Sequence, residues 1–216
     1  WALELLPECR QRLAASRDPW EAAVRLAIAG NIMDLGVKSG LDDTQIRDAI
    51  DAALNEPLAG DVSAFADAIA ASRDVLYLTD NAGEIVFDRL LIEQMPRGKV
   101  TVAVKGSPVI NDATWDDAQA AGLPDLVPVI DNGSDAPGTI LADCSEAFQR
   151  RFARADLVIA KGQGNYETLC TSTQRIFFLL RVKCPVIARD IGCPEGRMVL
   201  RPSPACTTID AEGEGP

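Results

Sequence analysis

Residues 1 to about 73 place their apolar positions at helical spacing and never alternate with period two, so this part of the chain reads as helices. The stretch DPWEAAVRLAIAGNIMDLGV offers Asp18 as an N-cap and Pro19 at the first helical position. Proline is harmless there, because the N–H it lacks would have no partner inside the helix. DDTQIRDAIDAALNEP repeats the pattern, with Asp42 or Asp43 capping and Pro57 beyond the end. DVSAFADAIAAS gives a further helix, capped by Asp61 or Ser63.

From Asp74 the texture changes to short apolar runs separated by helical stretches. Strands are expected at 75–79, 100–104, 126–130, 157–160 and 186–189, with a further one near 176–182 in IFFLLRVKC. Helices are expected near 85–95, 113–121, 143–154 and 166–174. Apolar runs that do not alternate belong to strands covered on both faces, and helical connections between them make the strands parallel. The expected fold class is therefore α/β, a three-layer α/β/α sandwich with a mainly parallel sheet and an N-terminal helical subdomain. The expected division is 1–73 helical, 74–200 α/β core and 201–216 a loose tail, since RPSPACTTIDAEGEGP is rich in proline, glycine and acid.

Composition narrows the chemistry more than the fold. The 216 residues suffice for a sizeable core. A net charge of -11 disfavours a nucleic-acid backbone as partner, which wants a basic face. No apolar run approaches the roughly 18 residues of a membrane span. The opening WALELLPECR lacks both the layout of a signal peptide and a starting Met, so the protein is expected to begin upstream of Trp1. Six cysteines without a CxxC pair point to reduced thiols in a cytoplasm. There is no histidine, which removes Ser-His-Asp and Cys-His nucleophile systems, HExxH proteases and every His-ligated metal. What remains is carboxylate, amide, lysine, arginine or thiol chemistry, or an oxygen-ligated cation such as Mg or Mn.

Ligands of parallel α/β sheets bind beyond the carboxyl ends of the strands. After the first expected strand come Asp80, Asn81, Gly83 and Glu84. KGSPVINDAT follows the second, with Lys105, Asn111 and Asp112, DNGSDAPGT follows the third, and KGQGNYE follows the fourth, with Lys161, Gly162, Gly164, Asn165 and Glu167. Taken singly, Asp80–Asn81 and Asn111–Asp112 read equally well as helix caps. GQGNYE lacks the third glycine of a dinucleotide fingerprint, and no GxxxxGK[ST] phosphate loop occurs. Taken together, two carboxylates and an amide oxygen on neighbouring strand ends suit a hard cation that keeps several waters. A lysine beside a glycine-rich helix start suits a phosphate. A cation beside an anion cradle suggests phosphoryl chemistry.

TDNAGEIVFD, KGSPVINDAT, IAKGQGNYETL and KCPVIARDIG resemble, in order, blocks of the DUF89 family of metal-dependent damage-control phosphatases, also called ARMT1-like. AIAGNIMDLG resembles a block of its prokaryotic branch; of the paired cysteines that branch often carries near its start, only Cys9 is present. The likeness spans roughly residues 18 to 200. It implies a Rossmann-like α/β/α core behind a helical N-terminal part, and hydrolysis of phosphomonoesters of small metabolites such as damaged or surplus sugar phosphates. By the same resemblance Asp80, Asn81 and Asp112 are metal ligands for Mg, Mn, Co or Ni, and Lys161 contacts the substrate phosphate. Glu84, Gly162, Asn165, Asn31 and Asp34 match motif positions that line the pocket. The implied partner is a small phosphorylated metabolite, with neither nucleic acid nor membrane. Three rivals stand beside this reading. A haloacid-dehalogenase phosphatase needs a second Asp where Ala82 stands. A carboxyl methyltransferase, an activity assigned to a family relative, wants a more glycine-rich loop after the first strand. A non-catalytic phosphometabolite-binding protein would have no need to retain Asp80, Asn81, Asp112 and Lys161 together.

Overall fold

The computed structural model describes residues 1–30, 43–96 and 98–207. Asn31, Asp34 and Asp42 lie outside these residues. Four helices among the described residues precede the first long strand: α1 (Ala2–Ala15), α2 (Pro19–Ala29), α3 (Asp43–Asn55) and α4 (Val62–Ala71), with the short strand β1 (Leu58–Ala59) between the last two. Two expected caps are made. Asp18 Oδ1 accepts from Glu21 N at 3.0 Å with Pro19 behind it, and Asp61 Oδ1 accepts from Ala64 N at 2.9 Å. Each such bond satisfies a helix-end N–H that has no partner within the helix, worth about 1 kcal/mol.

The rest of the chain follows as β2 (Val75–Leu78), α5 (Ile85–Glu93), β3 (Val100–Val104), α6 (Trp115–Ala120), β4 (Val129–Asp131), α7 (Glu146–Arg154), β5 (Leu157–Lys161), α8 (Gly162–Leu169), β6 (Ile176–Arg181), α9 (Pro185–Ile191), β7 (Met198–Pro202) and α10 (Pro204–Thr207). Seven strands form one sheet in the order β1-β7-β6-β5-β2-β3-β4, and every pairing is parallel except β6 with β7. Successive strand residues face opposite sides. Val75 and Tyr77 of β2 therefore join the α1–α6 side, together with Phe65, Leu26 and Phe87, while Leu76 and Leu78 join Phe148, Phe152 and Tyr166 on the α7–α9 side. The N-terminal helices share one apolar cluster with the sheet, so they form a layer of the sandwich. Phe65, fully buried, stacks obliquely on Trp20 at 5.5 Å and on Phe177 at 5.1 Å, which ties that layer to β6. Burying such a ring contributes about 2–3 kcal/mol.

Three expectations change. The run 186–189 is helix rather than strand: Pro185 occupies the first helical position, and Gly192, at φ 81°, ends the helix in the left-handed conformation. Val186 is 63% exposed, which a two-faced core strand would not allow. Second, the strand expected at 126–130 is delayed to Val129, because Leu126 and Val127 are held in a turn by Leu123 O. Third, the stretch from 201 does not begin loose: Arg201 and Pro202 finish β7, which runs antiparallel to β6, and α10 follows. Pro202 is tolerated because it is the last residue of its strand. Among the described residues no helix is long and apolar enough to cross a membrane.

Candidate active site

The chain runs from β2 outward through β3 to β4, then returns to place β5 on the other side of β2. The direction of winding reverses between β2 and β5, where such sheets leave a crevice. Leu78 is in register with Ala103 on one side and Ala160 on the other. Asp80, Lys105 and Lys161 therefore emerge from one edge.

Asp80 and Asn81 do not cap α5. Glu84 occupies the cap position and no side chain bonds the helix start there. Nor do Asn111 and Asp112 cap α6: Thr114 does, with Asp117 Oδ2 accepting from Thr114 N at 2.8 Å. Asn81 and Asp112 instead pair as an isolated antiparallel bridge. It is clamped by Ala82 N to Asn111 O at 2.9 Å and Ala113 N to Asp80 O at 2.7 Å. The residue before this pair, Ile110, sits at φ 51° and is 81% exposed. A β-branched residue in that region is strained, and here the strain turns the chain into Asn111 and Asp112.

Asn81 Nδ2 donates to Asp80 Oδ2 at 3.0 Å and to Glu84 Oε2 at 3.3 Å. With its nitrogen so engaged, the atom the amide can offer a cation is its oxygen. Asp112 lies 3.4 Å from Lys105 Nζ, which also donates to Ala136 O at 2.8 Å and to Gly138 O. Lys105 thus holds the loop after β4 against the loop after β3. Burial, followed by the Glu84 charge, pushes the Asp80 carboxyl up to about 8, with Lys161 pulling it back, Asp112 adding to the rise and Lys183 opposing it. Burial also raises Asp112, opposed by Lys105. Burial thus disfavours the ionised form of both carboxyls, and a divalent cation bound between them would favour it. Among the described residues no three His, Cys, Asp or Glu side chains cluster as a metal-holding group. The donor set on offer is two carboxylates and an amide, which fits a hard cation completed by water.

Lys161 is placed differently from the expectation. Its side chain is 0% exposed, and Nζ donates to Ala27 O at 2.8 Å, to Asp88 Oδ1 at 2.6 Å and to Glu84 Oε1. An ammonium has three donors, and all three are engaged inside the fold, so this lysine does not present itself to a phosphate. Burial alone would lower its pKa, but the Asp88 and Glu84 carboxylates raise it. Asn165 also lies behind the site, its amide donating to Thr79 O at 3.0 Å and Lys161 O at 2.8 Å and accepting from Thr139 Oγ1 at 2.7 Å. Gly162 stands against the Asp80 carboxylate. Asp80, Asn81, Glu84, Asp112 and Gly162 thus come together.

One residue that the motifs did not single out joins them. Lys183, exposed just beyond β6, is near enough to pull the Asp80 pKa down, and Gln163 Oε1 accepts from its backbone N at 3.0 Å. Reading 186–189 as a strand concealed it; as the residue before a Cys-Pro helix start, it belongs to a loop at the same sheet edge. A cleft of about 410 Å³ opens beside Asn81, Gly83, Glu84, Asn111 and Asp117.

The family described as "Damage-control phosphatase ARMT1-like domain" matches residues 1–199. A damage-control phosphatase of Pyrococcus horikoshii is 40% identical over 185 residues, which cover 83% of this chain and 64% of that protein. A damage-control phosphatase of Archaeoglobus fulgidus is 37% identical over 206 residues, 93% of this chain and 71% of that protein. The crystal structure of a DUF89 family protein from Pyrococcus horikoshii superposes with a TM-score of 0.82 at 35% identity, covering 94% of this chain and 72% of that one. The chain therefore spans less than two thirds of the length of the first of these relatives.

Proposed function

This chain belongs to the damage-control phosphatase ARMT1-like family, and from that membership we propose that it is a divalent-metal-dependent phosphatase acting on phosphomonoesters of small metabolites. The observation that carries the reading is the Asn81–Asp112 bridge, which sets an amide and a second carboxylate beside Asp80 where the winding reverses. Asp80, Asn81 and Asp112 would hold Mg, Mn, Co or Ni, whose charge would stabilise the phosphoryl oxygens as the ester bond breaks.

The chain's own groups divide the remaining work. Lys105 fixes Asp112 and, through Ala136 O and Gly138 O, the loop beside it. Gly162 leaves the Asp80 oxygens their space. Lys183 takes the role the motif assigned to Lys161: its exposed ammonium neutralises the incoming phosphate and steers it toward the strand ends. The cleft of about 410 Å³ beside Asn81, Glu84 and Asn111 has the size for a small metabolite. The setting proposed is a reducing cytoplasm, from six cysteines without a CxxC pair in the sequence.

Turnover of p-nitrophenyl phosphate and a phosphometabolite panel with Mg, Mn, Co and Ni tests the reading. Metal-dependent phosphate release that Asp80→Asn abolishes is expected. Tight sugar-phosphate binding without hydrolysis under any metal would make this a binding protein instead. A route through a covalent phosphoryl group on Asp80 is distinguished by trapping phospho-Asp80 with substrate.

A further inference from the structure

Asp88 is a carboxylate in the wrong surroundings for a helix that faces the core. It is fully buried on α5, and its Oδ2 has no hydrogen-bond partner. Its other oxygen accepts from Lys161 Nζ at 2.6 Å and from Tyr77 OH at 2.8 Å. Burying a carboxylate this way costs several kcal/mol, and breaking such a pair costs more than replacing it whole with apolar groups. Helix packing alone would be better served by an aliphatic residue.

The contacts of Lys161 indicate what the cost secures. Glu84 and Asp88 stand four residues apart, on one face of the helix start. Side by side they would repel, and Lys161 Nζ bridges them while Ala27 O, at the end of α2, takes its third donor. Glu84 is then held by one oxygen to Lys161 and by the other to Asn81 Nδ2. A continuous chain of contacts runs Tyr77–Asp88–Lys161–Glu84–Asn81, from the middle of β2 to the cation site. Its last link decides which end of the Asn81 amide faces outward. Two carboxylate oxygens, on Glu84 and Asp80, hold the nitrogen.

We propose that Asp88 and Tyr77 are positioning residues: they seat Lys161, which seats Glu84, which turns the Asn81 amide so that its oxygen is presented to the cation. This rests on the reading of Asn81 as a cation ligand. Each member is needed for a different reason. Tyr77 satisfies Asp88 from the strand side. Asp88 supplies the charge that keeps Lys161 protonated and in place beside a single catalytic-site carboxylate. Removing either loosens Glu84 without touching Asp80, Asn81 or Asp112.

The test is direct binding of Mn²⁺, followed calorimetrically, to wild type, Asp88→Asn, Tyr77→Phe, Glu84→Gln and the Glu84→Gln/Asp88→Asn double variant. Circular dichroism establishes that each is folded. Asp88→Asn is expected to weaken Mn²⁺ binding about tenfold, the lower end of the scale for groups that orient metal ligands, and Tyr77→Phe, one link further from the cation, by less, about threefold. Because Asp88 acts through Glu84, Asp88→Asn should add nothing once Glu84 is already Gln. A merely structural pair would lower the unfolding temperature and leave the affinity of the folded protein alone. Wild-type affinity in folded Asp88→Asn and Tyr77→Phe, or full additivity in the double variant, would overturn the proposal. Should Asp88→Asn not fold, Tyr77→Phe, which removes one hydroxyl, decides alone. Wild type that binds no Mn²⁺ would sink the metal-site reading, and the positioning role with it; wild type that binds beside indifferent variants sinks the positioning role only.

Discussion

Gly162 and Asp80 are in steric contact across the β5–β2 boundary: a Cβ on Gly162 would lie 2.0 Å from Asp80 Oδ2 and 2.2 Å from its Cγ. The glycine also sits at φ +80°, where an L side chain costs about 1–2 kcal/mol. Gly162→Ala must therefore push the carboxylate out of its position. We expect metal-dependent turnover to fall by at least about 100-fold, with a stability loss near 2 kcal/mol. Steady-state kinetics and urea unfolding check the two separately, and a variant with wild-type kcat would show that Asp80 has no fixed place in the chemistry.

The raised Asp80 carboxyl sets a pH dependence for the metal-free protein. Its pKa lies near 3.8 in the unfolded chain and about 8 in the fold, chiefly through burial and the Glu84 charge. A raised folded pKa means the neutral form is favoured by folding. Its contribution is full below about pH 4 and is lost as pH rises toward about 8. In EDTA the unfolding temperature should fall as pH rises toward about 8, and Asp80→Asn should fall less, the remainder coming from Asp112 and Asp88, whose carboxyls burial also raises. Mn²⁺ should restore the wild type at pH 8 and leave Asp80→Asn unchanged. An EDTA curve with the same slope in both proteins would show that Asp80 is not the group responsible.

Lys183 and Lys161 should separate cleanly in kinetics. Lys183→Ala removes an exposed ammonium whose charge reaches Asp80 and should raise KM for a phosphomonoester about tenfold, with weaker inhibition by inorganic phosphate. Lys183→Arg should recover most of the loss. Lys161→Met leaves Glu84 and Asp88 facing each other without their cation, so it should cost about 3–5 kcal/mol in stability. Unaltered KM and phosphate inhibition in Lys183→Ala would return the phosphate contact to another group.

Ile110 offers a gain in stability. At φ 51° and 81% exposed, it has strain without packing to offset it. Asparagine accepts that conformation more readily, so Ile110→Asn should stabilise the fold by about 1 kcal/mol in urea unfolding. Equal or lower stability would mean that the Ile110 side chain makes up for its backbone.

Much of this was legible in the chain. VLYL and LVIA are apolar without alternation, and that alone placed them as strands covered on both faces. Asp80, Asn81 and Asp112 stood where strands end, and the structure joins them through a backbone bridge. Local texture was weaker where a run was short. VIAR has strand composition, yet Pro185 before it and Gly192 after it make it a helix, and the two-residue β1 has no periodicity to read.

The sequence by itself determined the α/β class, the absence of imidazole chemistry and the residue types at the sheet edge, because burial pattern and composition are properties of single segments; that the N-terminal helices form a layer of the sandwich was decided by their packing. Only the tertiary structure decided where each lysine ends. Lys161 and Lys183 both follow apolar runs and look alike in the chain. One is enclosed by Ala27 O, Glu84 and Asp88 from two helices distant in sequence, and the other stands exposed beyond β6, where its charge still reaches Asp80. The destination of an ammonium depends on which acceptors converge on it. That convergence is set by how α2 and α5 pack on the sheet, which no local pattern encodes.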